Sequence, residues 1–562
     1  MKTKENEFDA IVVGSGISGG WAAKELCEQG LKTLVLERGR DVKHVQDYPT
    51  MNRAPWEFDH RGLETEEIKE EYYVQKKTHA FDESTKHFFV NDKENPYTNP
   101  ADKEFRWHRG YHVGGRSLTW GRQSYRLSPM DFEANAKEGI AVDWPIRYED
   151  LAPWYDYVEQ FAGISGQNEG LAQLPDGKFQ PPMDMYCVEK KVKGAIEKNW
   201  SDRMMTIGRT ANLTKPIHNR ANCQYRNLCS RGCPYGGYFS SNASTLPAAE
   251  ATGNMTMRPY SIVESVIYDE NTKKAKGVRI IDAETSETHV YYAKVIFLCA
   301  STLGSTWIML NSKSNAFPNG LGNTSETLGK YLMDHHFQVN TIADFEGYED
   351  KYHHGFRPNG IYVPRFRNIK DKHPDFLRGY GMQGGANRQG WGYGNRKLGF
   401  GAEFKDELMK PGPWEMNLNA FGECLPYEDN AVVLNHNVTD KWGLPTLHIS
   451  AEFKENEFAM RKDMAITQVE MLEAAGGKNI RTTDTDAVPG YGIHEMGTAR
   501  MGRDPKTSML NGFNQLHEVQ NVFVTDGSAM TSSACQNPSL TYMALTARAA
   551  HYAVDQLKKR NL

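Results

Sequence analysis

The residues that most constrain the fold lie at the start of the chain. Asp9 to Val13 reads DAIVV, a short apolar strand pattern, and Gly14-Ser15-Gly16-Ile17-Ser18-Gly19 follows at once. Trp21 to Leu26 reads as helix. After Gly30 a second apolar run, Thr33 to Leu36, ends in Glu37. A G-x-G-x-x-G alone is a weak signal. Placed after a strand, at the head of a helix and with an acidic residue about twenty positions on, it predicts a dinucleotide-binding βαβ unit. Gly14 permits the tight turn. Gly16 lets a pyrophosphate approach the backbone at the helix N-terminus, and Gly19 allows helix and strand to pack closely. Glu37 is placed to accept hydrogen bonds from ribose hydroxyls, and it argues against the 2′-phosphate of NADP. Such a unit points to an α/β fold with a parallel sheet. It does not separate NAD from FAD.

Composition removes several function classes. The net charge of −5 over 562 residues lacks the concentrated cationic surface that nucleic acid requires. Hydrophobic residues at 39% and charged ones at 24% are those of a globular chain. No apolar run approaches the ~18 residues that would suggest a membrane span. MKTKENEFDA shows no apolar signal core or twin Arg. The expectation is a chain made in the cytoplasm that reaches a periplasm only by co-export with a partner. Eight Cys are too few for a disulfide scaffold.

Three further segments narrow the reading. They are Gly114-Gly115-Arg116-Ser117-Leu118-Thr119-Trp120-Gly121, Val295 to Ser305 (VIFLCASTLGS), and the stretch from His494 to Arg548. With the βαβ unit, they resemble the glucose–methanol–choline (GMC) flavoprotein oxidoreductases. The C-terminal stretch is most similar to the branch of bacterial FAD-linked sugar dehydrogenases, glucoside 3-dehydrogenases and pyranose oxidases. The resemblance implies a Rossmann-like FAD-binding domain and an α+β substrate domain with an antiparallel sheet. His494, in IHEMGTARMG, matches the family's catalytic base, and Asn537, in CQNPSLT, its second catalytic position. Gly14, Gly16, Gly19, Glu37, Arg38, Gly114, Gly115, Ser117, Val263, Ala300, Asp526, Gly527 and Asn537 match cofactor-binding positions. Thr119 stands where pyranose oxidases carry a flavin-linked His, so non-covalent FAD is expected. His108 and His112 lie nearby, out of register.

These residues suit alcohol oxidation. A neutral His can take the hydroxyl proton near neutral pH. An Asn amide can hydrogen-bond the same oxygen without competing for the proton.

Cys223, Cys229 and Cys233 fall in one loop, spaced C-x5-C-x3-C and followed by Pro234. The spacing admits a Cys3His zinc site with His218, packing thiols or a local disulfide, or an iron–sulfur cluster. The resemblance implies the last, a [3Fe-4S] cluster passing electrons singly to a cytochrome c-type acceptor, with a small escort subunit. Arg226 and Arg231 are candidate contacts for an acidic partner.

The expected organisation has residues 1–40, 106–150, 240–334 and 480–562 in a discontinuous FAD domain. Residues 41–105 form an excursion, 151–239 a connecting region with the Cys loop, and 335–479 the substrate domain. Helices are expected at Leu151–Ala162, Val188–Lys198 and Thr541–Lys558. Trp391, Tyr393, Trp414, Phe421, Glu423 and Gln383 are candidate sugar contacts. The expected activity is a sugar or glycoside dehydrogenase, with the pyranose C3 hydroxyl favoured. Oxidation at C1 of glucose or C2 of gluconate is the runner-up. A non-catalytic electron-relay subunit is the rival from another class.

Overall fold

The computed structural model describes residues 5–390, 398–485 and 487–562; Trp391 and Tyr393 lie outside them. The expected unit is present as β1 (Glu7–Val13), α1 (Ile17–Glu28) and β2 (Thr33–Leu36). β1 and β2 run parallel, with Ala10 opposite Thr33 and Val13 opposite Leu36. Ala10, Ile11 and Val12 are fully buried, as a strand covered on both faces requires.

The unit belongs to a seven-stranded sheet. Its order is Met255–Arg258, β2, β1, Thr288–Leu298, Lys274–Asp282, Ser261–Asp269. Thr288–Leu298 is shared along its length. Thr288 to Tyr292 pair antiparallel with Lys274–Asp282. Later residues pair parallel with β1, and Ile296 to Leu298 also with Val522–Val524. The sheet therefore draws strands from the beginning, middle and end of the chain. α1 packs against Ser539–Lys558, which in turn packs against Tyr148–Ala162. Tyr148–Ala162 starts before the apolar pattern does, because the Asp150 carboxylate accepts the Arg147 N–H at 2.8 Å and holds a polar first turn.

A second, six-stranded sheet is antiparallel throughout. Its order is Lys478–Asp484, His336–Phe345, Trp414–Gly422, Tyr380–Arg388, Ile361–Val363, Thr206–Ile207. It thus recruits edge strands on both sides of the 335–479 segment. Strand alternation gives it two different faces. Trp414, Met416, Leu418 and Ala420 point into a core closed by helices Glu455–Ala474 and Cys187–Asn199. Asn417, Asn419 and Phe421 point the other way. The hairpin Ala431–Thr439 with Pro445–Ser450 does not join this sheet. Val432, Leu447 and Ile449 instead pack in the flavin-side core.

Arg378 ties the two halves together. It is fully buried, with Nη1 on Glu423 at 2.9 Å, Nη2 on Asn135 at 2.7 Å and Nε on Glu138 at 2.5 Å. Arg378→Met would strand the buried Glu423 carboxylate and is expected to cost about 3–5 kcal/mol. Thermal melting checks this. The double variant Arg378→Met/Glu423→Leu should recover most of the loss.

Candidate active site

A cavity of about 680 Å³ runs from the β1–α1 turn to the polar face of the six-stranded sheet. Its first end has the shape of a dinucleotide cradle. Gly14 takes φ +93°, and a Cβ there would sit 2.5 Å from the Cys299 carbonyl oxygen. A Cβ at Gly19 would lie 1.8 Å from the Gly14 carbonyl oxygen, so α1 can seat this closely only on glycine. At Gly16 the space is open, and Gly16 lines the cavity at the helix N-terminus. Glu37 accepts from Ser15 Oγ at 2.5 Å and from the Gly39 N–H at 3.0 Å. Its burial raises the carboxyl above the ordinary range, against the hydrogen bonds that lower it.

Arg38 pairs with Asp440 at 3.2 Å and stacks among Tyr111, Trp307 and Trp442. Val263, Ala300, Gly115, Ser117, Asp526 and Gly527 all line the cavity. The Asp526 carboxylate is held by Ser305 Oγ and Ser528 N–H, and its burial raises its pKa. Gly19 and Gly114 do not line the cavity. Gly114 serves by close packing, since a Cβ there would overlap the Asn242 side chain at 1.7 Å. An FAD fits this donor set and cradle. Thr119 and His108 line the cavity and His112 does not.

At the other end, His494 and Asn537 meet. Asn537 Nδ2 lies 3.3 Å from His494 Nε2, and Asn537 Oδ1 accepts from Gln383 Nε2 at 2.6 Å. His494 Nδ1 lies 3.0 Å from His335 Nδ1. Asp334 shapes the loop by accepting the Gly490 and Gly492 N–H groups at 2.8 Å and that of His494 at 3.0 Å. Burial, with His335, Arg116 and His79 adding, holds His494 well below the ordinary imidazole pKa. It is neutral at pH 7 and able to accept a proton.

Gln383, Asn359, Asn417, Asn419, Phe337 and Phe421 complete the wall. Gln383 is the register partner of Asn419, and Asn419 of Asn340, so three amides form a row across the sheet. Asn340 Oδ1, Asn359 Oδ1 and Asn419 Oδ1 are buried without a hydrogen-bond partner. Buried acceptors of this kind call for donors. Two expected sugar contacts move elsewhere. Trp414 is in the core, with its indole N–H on the Tyr348 carbonyl, and Glu423 is consumed by Arg378. The alternation WEMNLNAF at Trp414–Phe421 carried the signal for the amides. Nothing in the spacing marked Asp334 and His335.

Cys223, Cys229 and Cys233 share one half-buried loop and do not line the cavity. Trp120, which lines the cavity, donates its indole N–H to the Phe239 carbonyl just after this loop. The Tyr225 and Gly237 N–H groups point at Cys223 Sγ and Cys233 Sγ, both at 3.4 Å. Burial pushes the Cys223 thiol up to about 11, and Cys229 and Cys233 push it further the same way. Among the described residues no group of three or more His, Cys, Asp and Glu is set to hold a metal ion. His218 packs its ring on Phe161 at 4.9 Å. Arg226 and Arg231 are both anchored to neighbouring backbone. Arg226 donates to the Met51 carbonyl, and Arg231 to that of Arg53 at 3.0 Å.

Comparison with known proteins agrees with this architecture. Family models described as GMC oxidoreductase match residues 8–337 and 426–546. The chain is 30% identical to a 2-methyl-1,2-propanediol dehydrogenase of Mycolicibacterium austroafricanum, over 98% of this chain and 96% of that one. It is 23% identical to the fructose dehydrogenase large subunit of Gluconobacter japonicus, with 100% of both chains covered. Among solved structures, a formate oxidase of Aspergillus oryzae RIB40 superposes with a TM-score of 0.61 at 12% identity, covering 99% of this chain and 100% of that one. The chain belongs to the GMC oxidoreductase family, FAD-binding enzymes that act on the CH–OH groups of alcohols and sugars.

Proposed function

We propose that the protein is an FAD-dependent dehydrogenase of a pyranose or glycoside, oxidising a ring hydroxyl, C3 favoured. The observation that carries this reading is the His494–Asn537 pair sharing a cavity with Asn359 and Asn419, whose side-chain oxygens are buried and unpaired. Sugar hydroxyls supply several donors to such a wall, and an aliphatic alcohol supplies one or two. FAD, when bound, supplies the hydride acceptor. His494 Nε2 takes the hydroxyl proton. Asn537 Nδ2 donates to the same oxygen while charge develops there. Gln383 holds the Asn537 amide in the orientation that presents Nδ2.

The Cys loop completes the proposal. Three thiols in one loop, two of them receiving backbone N–H groups, suit a [3Fe-4S] cluster, whose potential is tuned by such hydrogen bonds. A cluster held there would supply single-electron transfer to a cytochrome c-type protein, with a small second subunit escorting the chain to the periplasm. Support for that assembly comes from the relative named as a large subunit.

The test pairs a substrate panel with a metal analysis. Glucosides, free sugars and aliphatic diols are offered with a dye acceptor, and the new carbonyl is located by NMR. A 3-keto glycoside is the expected product. Turnover of diols alone would favour the second reading, a small-diol dehydrogenase like the 30% identical relative. Iron analysis and EPR should show a three-iron signal that Cys229→Ser removes. Stoichiometric zinc without iron would overturn the relay.

A further inference from the structure

His335 immediately precedes the strand His336–Phe345 and is almost fully buried. It does not line the cavity. Its Nε2 lies 2.8 Å from the Ala534 carbonyl oxygen and 3.4 Å from that of Ser533. A carbonyl oxygen only accepts, so Nε2 carries the hydrogen. Burial holds His335 down at about 4, so the ring is neutral near pH 7 and its Nδ1 is a bare acceptor.

That assignment propagates. The His335 Nδ1 faces His494 Nδ1 at 3.0 Å, and one of the two must donate. His335 has no second hydrogen to give, so His494 donates from Nδ1. A neutral His494 then has no hydrogen on Nε2, the atom that faces Asn537 Nδ2. Asn537 can donate there because its oxygen is occupied by Gln383 Nε2. From the Ala534 carbonyl to Gln383 each neutral group has one consistent hydrogen placement.

We infer that His335 is a positioning residue that fixes the proton of His494 on Nδ1 and so keeps the Nε2 lone pair facing the cavity. The opposite tautomer would point an N–H at the substrate oxygen, and His494 could not then receive the hydroxyl proton. The role rests on the reading of His494 as base but not on which sugar is bound. It holds for any alcohol oxidised at this site.

The experiment uses the oxidised holoenzyme labelled with ¹⁵N-histidine. The His494 ring signals are identified by their loss in His494→Gln. The wild type should show the Nδ1–H tautomer at His494, a measurement that needs neither substrate nor a folded variant of His335. Three substitutions then separate acceptor from bulk. His335→Asn places an amide oxygen near the Nδ1 position and keeps the acceptor. His335→Gln keeps a donor for Ala534 but no acceptor at Nδ1, and His335→Leu keeps neither.

Expected for His335→Asn is the Nδ1–H tautomer and flavin reduction within about tenfold of wild type. Expected for Gln and Leu is Nε2–H population at His494 and reduction slowed on the order of 10²-fold, with half-saturation nearly unchanged and FAD retained. An Nε2–H tautomer in the wild type would overturn the inference. So would equal loss in all three variants, or a wild-type tautomer and rate in His335→Leu. If instead the base reading failed, His494→Ala would keep its reduction rate while the tautomer measurements still reported on His335.

Discussion

His494→Ala is expected to retain bound cofactor while its reduction by an alcohol substrate slows on the order of 10²- to 10⁴-fold, the range of a positioned general base. Cofactor retention follows from the layout. The contacts of His494 are to His335, Asn537 and the Asp334 loop, whereas the glycine cradle lies at the far end of the cavity. Anaerobic stopped-flow absorbance measures the reduction directly, and the flavin spectrum reports occupancy. Reduction at the normal rate in this variant would remove His494 as base. The wild-type pH profile gives a second check. The pKa of His494 is lowered by burial, so its proton-accepting form persists below pH 6.5. The acid limb of the reduction rate should therefore fall below pH 6.5; a limb at or above that value would contradict the burial argument.

The second large effect is expected from glycine substitutions in the cradle, and two of them should fail differently. Gly19→Ala puts a methyl 1.8 Å from the Gly14 carbonyl oxygen and 2.7 Å from its carbon. The contact is backbone on the far side, so no side chain can swing away and α1 must lift off β1. The cost exceeds the roughly 1–3 kcal/mol of ordinary overpacking. The variant should melt well below wild type and purify with less than about a tenth of the normal flavin. Gly16→Ala meets nothing within 4 Å. Its apoprotein should melt like wild type, while the methyl occupies the approach to the helix N-terminus and weakens FAD binding. Equal flavin content in Gly16→Ala and wild type would show that the pyrophosphate does not pass there.

What the chain reveals in advance follows from whether each signal is local. The βαβ unit was legible because turn, helix start and strand lie within thirty residues and each glycine has a separate steric reason. His494 and Asn537 were legible only through the motifs around them; no spacing rule says that two residues 43 apart will meet at 3.3 Å. His335 was hidden because its partners, His494 and Ala534, come from two distant loops, of which Asp334 holds the first. Trp414 and Glu423 were misplaced for the opposite reason. Aromatic and acidic types suit a sugar site, but strand alternation turns Trp414 into the core, and a buried arginine claims Glu423. The pairing of Thr206–Ile207 with Ile361–Val363 was equally out of reach, since a two-residue edge strand carries no period.

The sharing of one long strand between distant segments also decides when the protein can become whole. Ala10 needs Val295 beside it, and Leu298 needs Val524. A chain emerging from the ribosome thus shows β1 and its glycine turn long before the strand that flanks them exists. Non-local pairing of this order is slow, because loop closure comes before any gain from contact. The partly made chain exposes the edge of Thr288–Leu298 until Val522–Val524 pairs with it. The cavity wall at Asp526 and Gly527 is likewise made last, and any truncation before Val522 removes the strand that completes the first sheet.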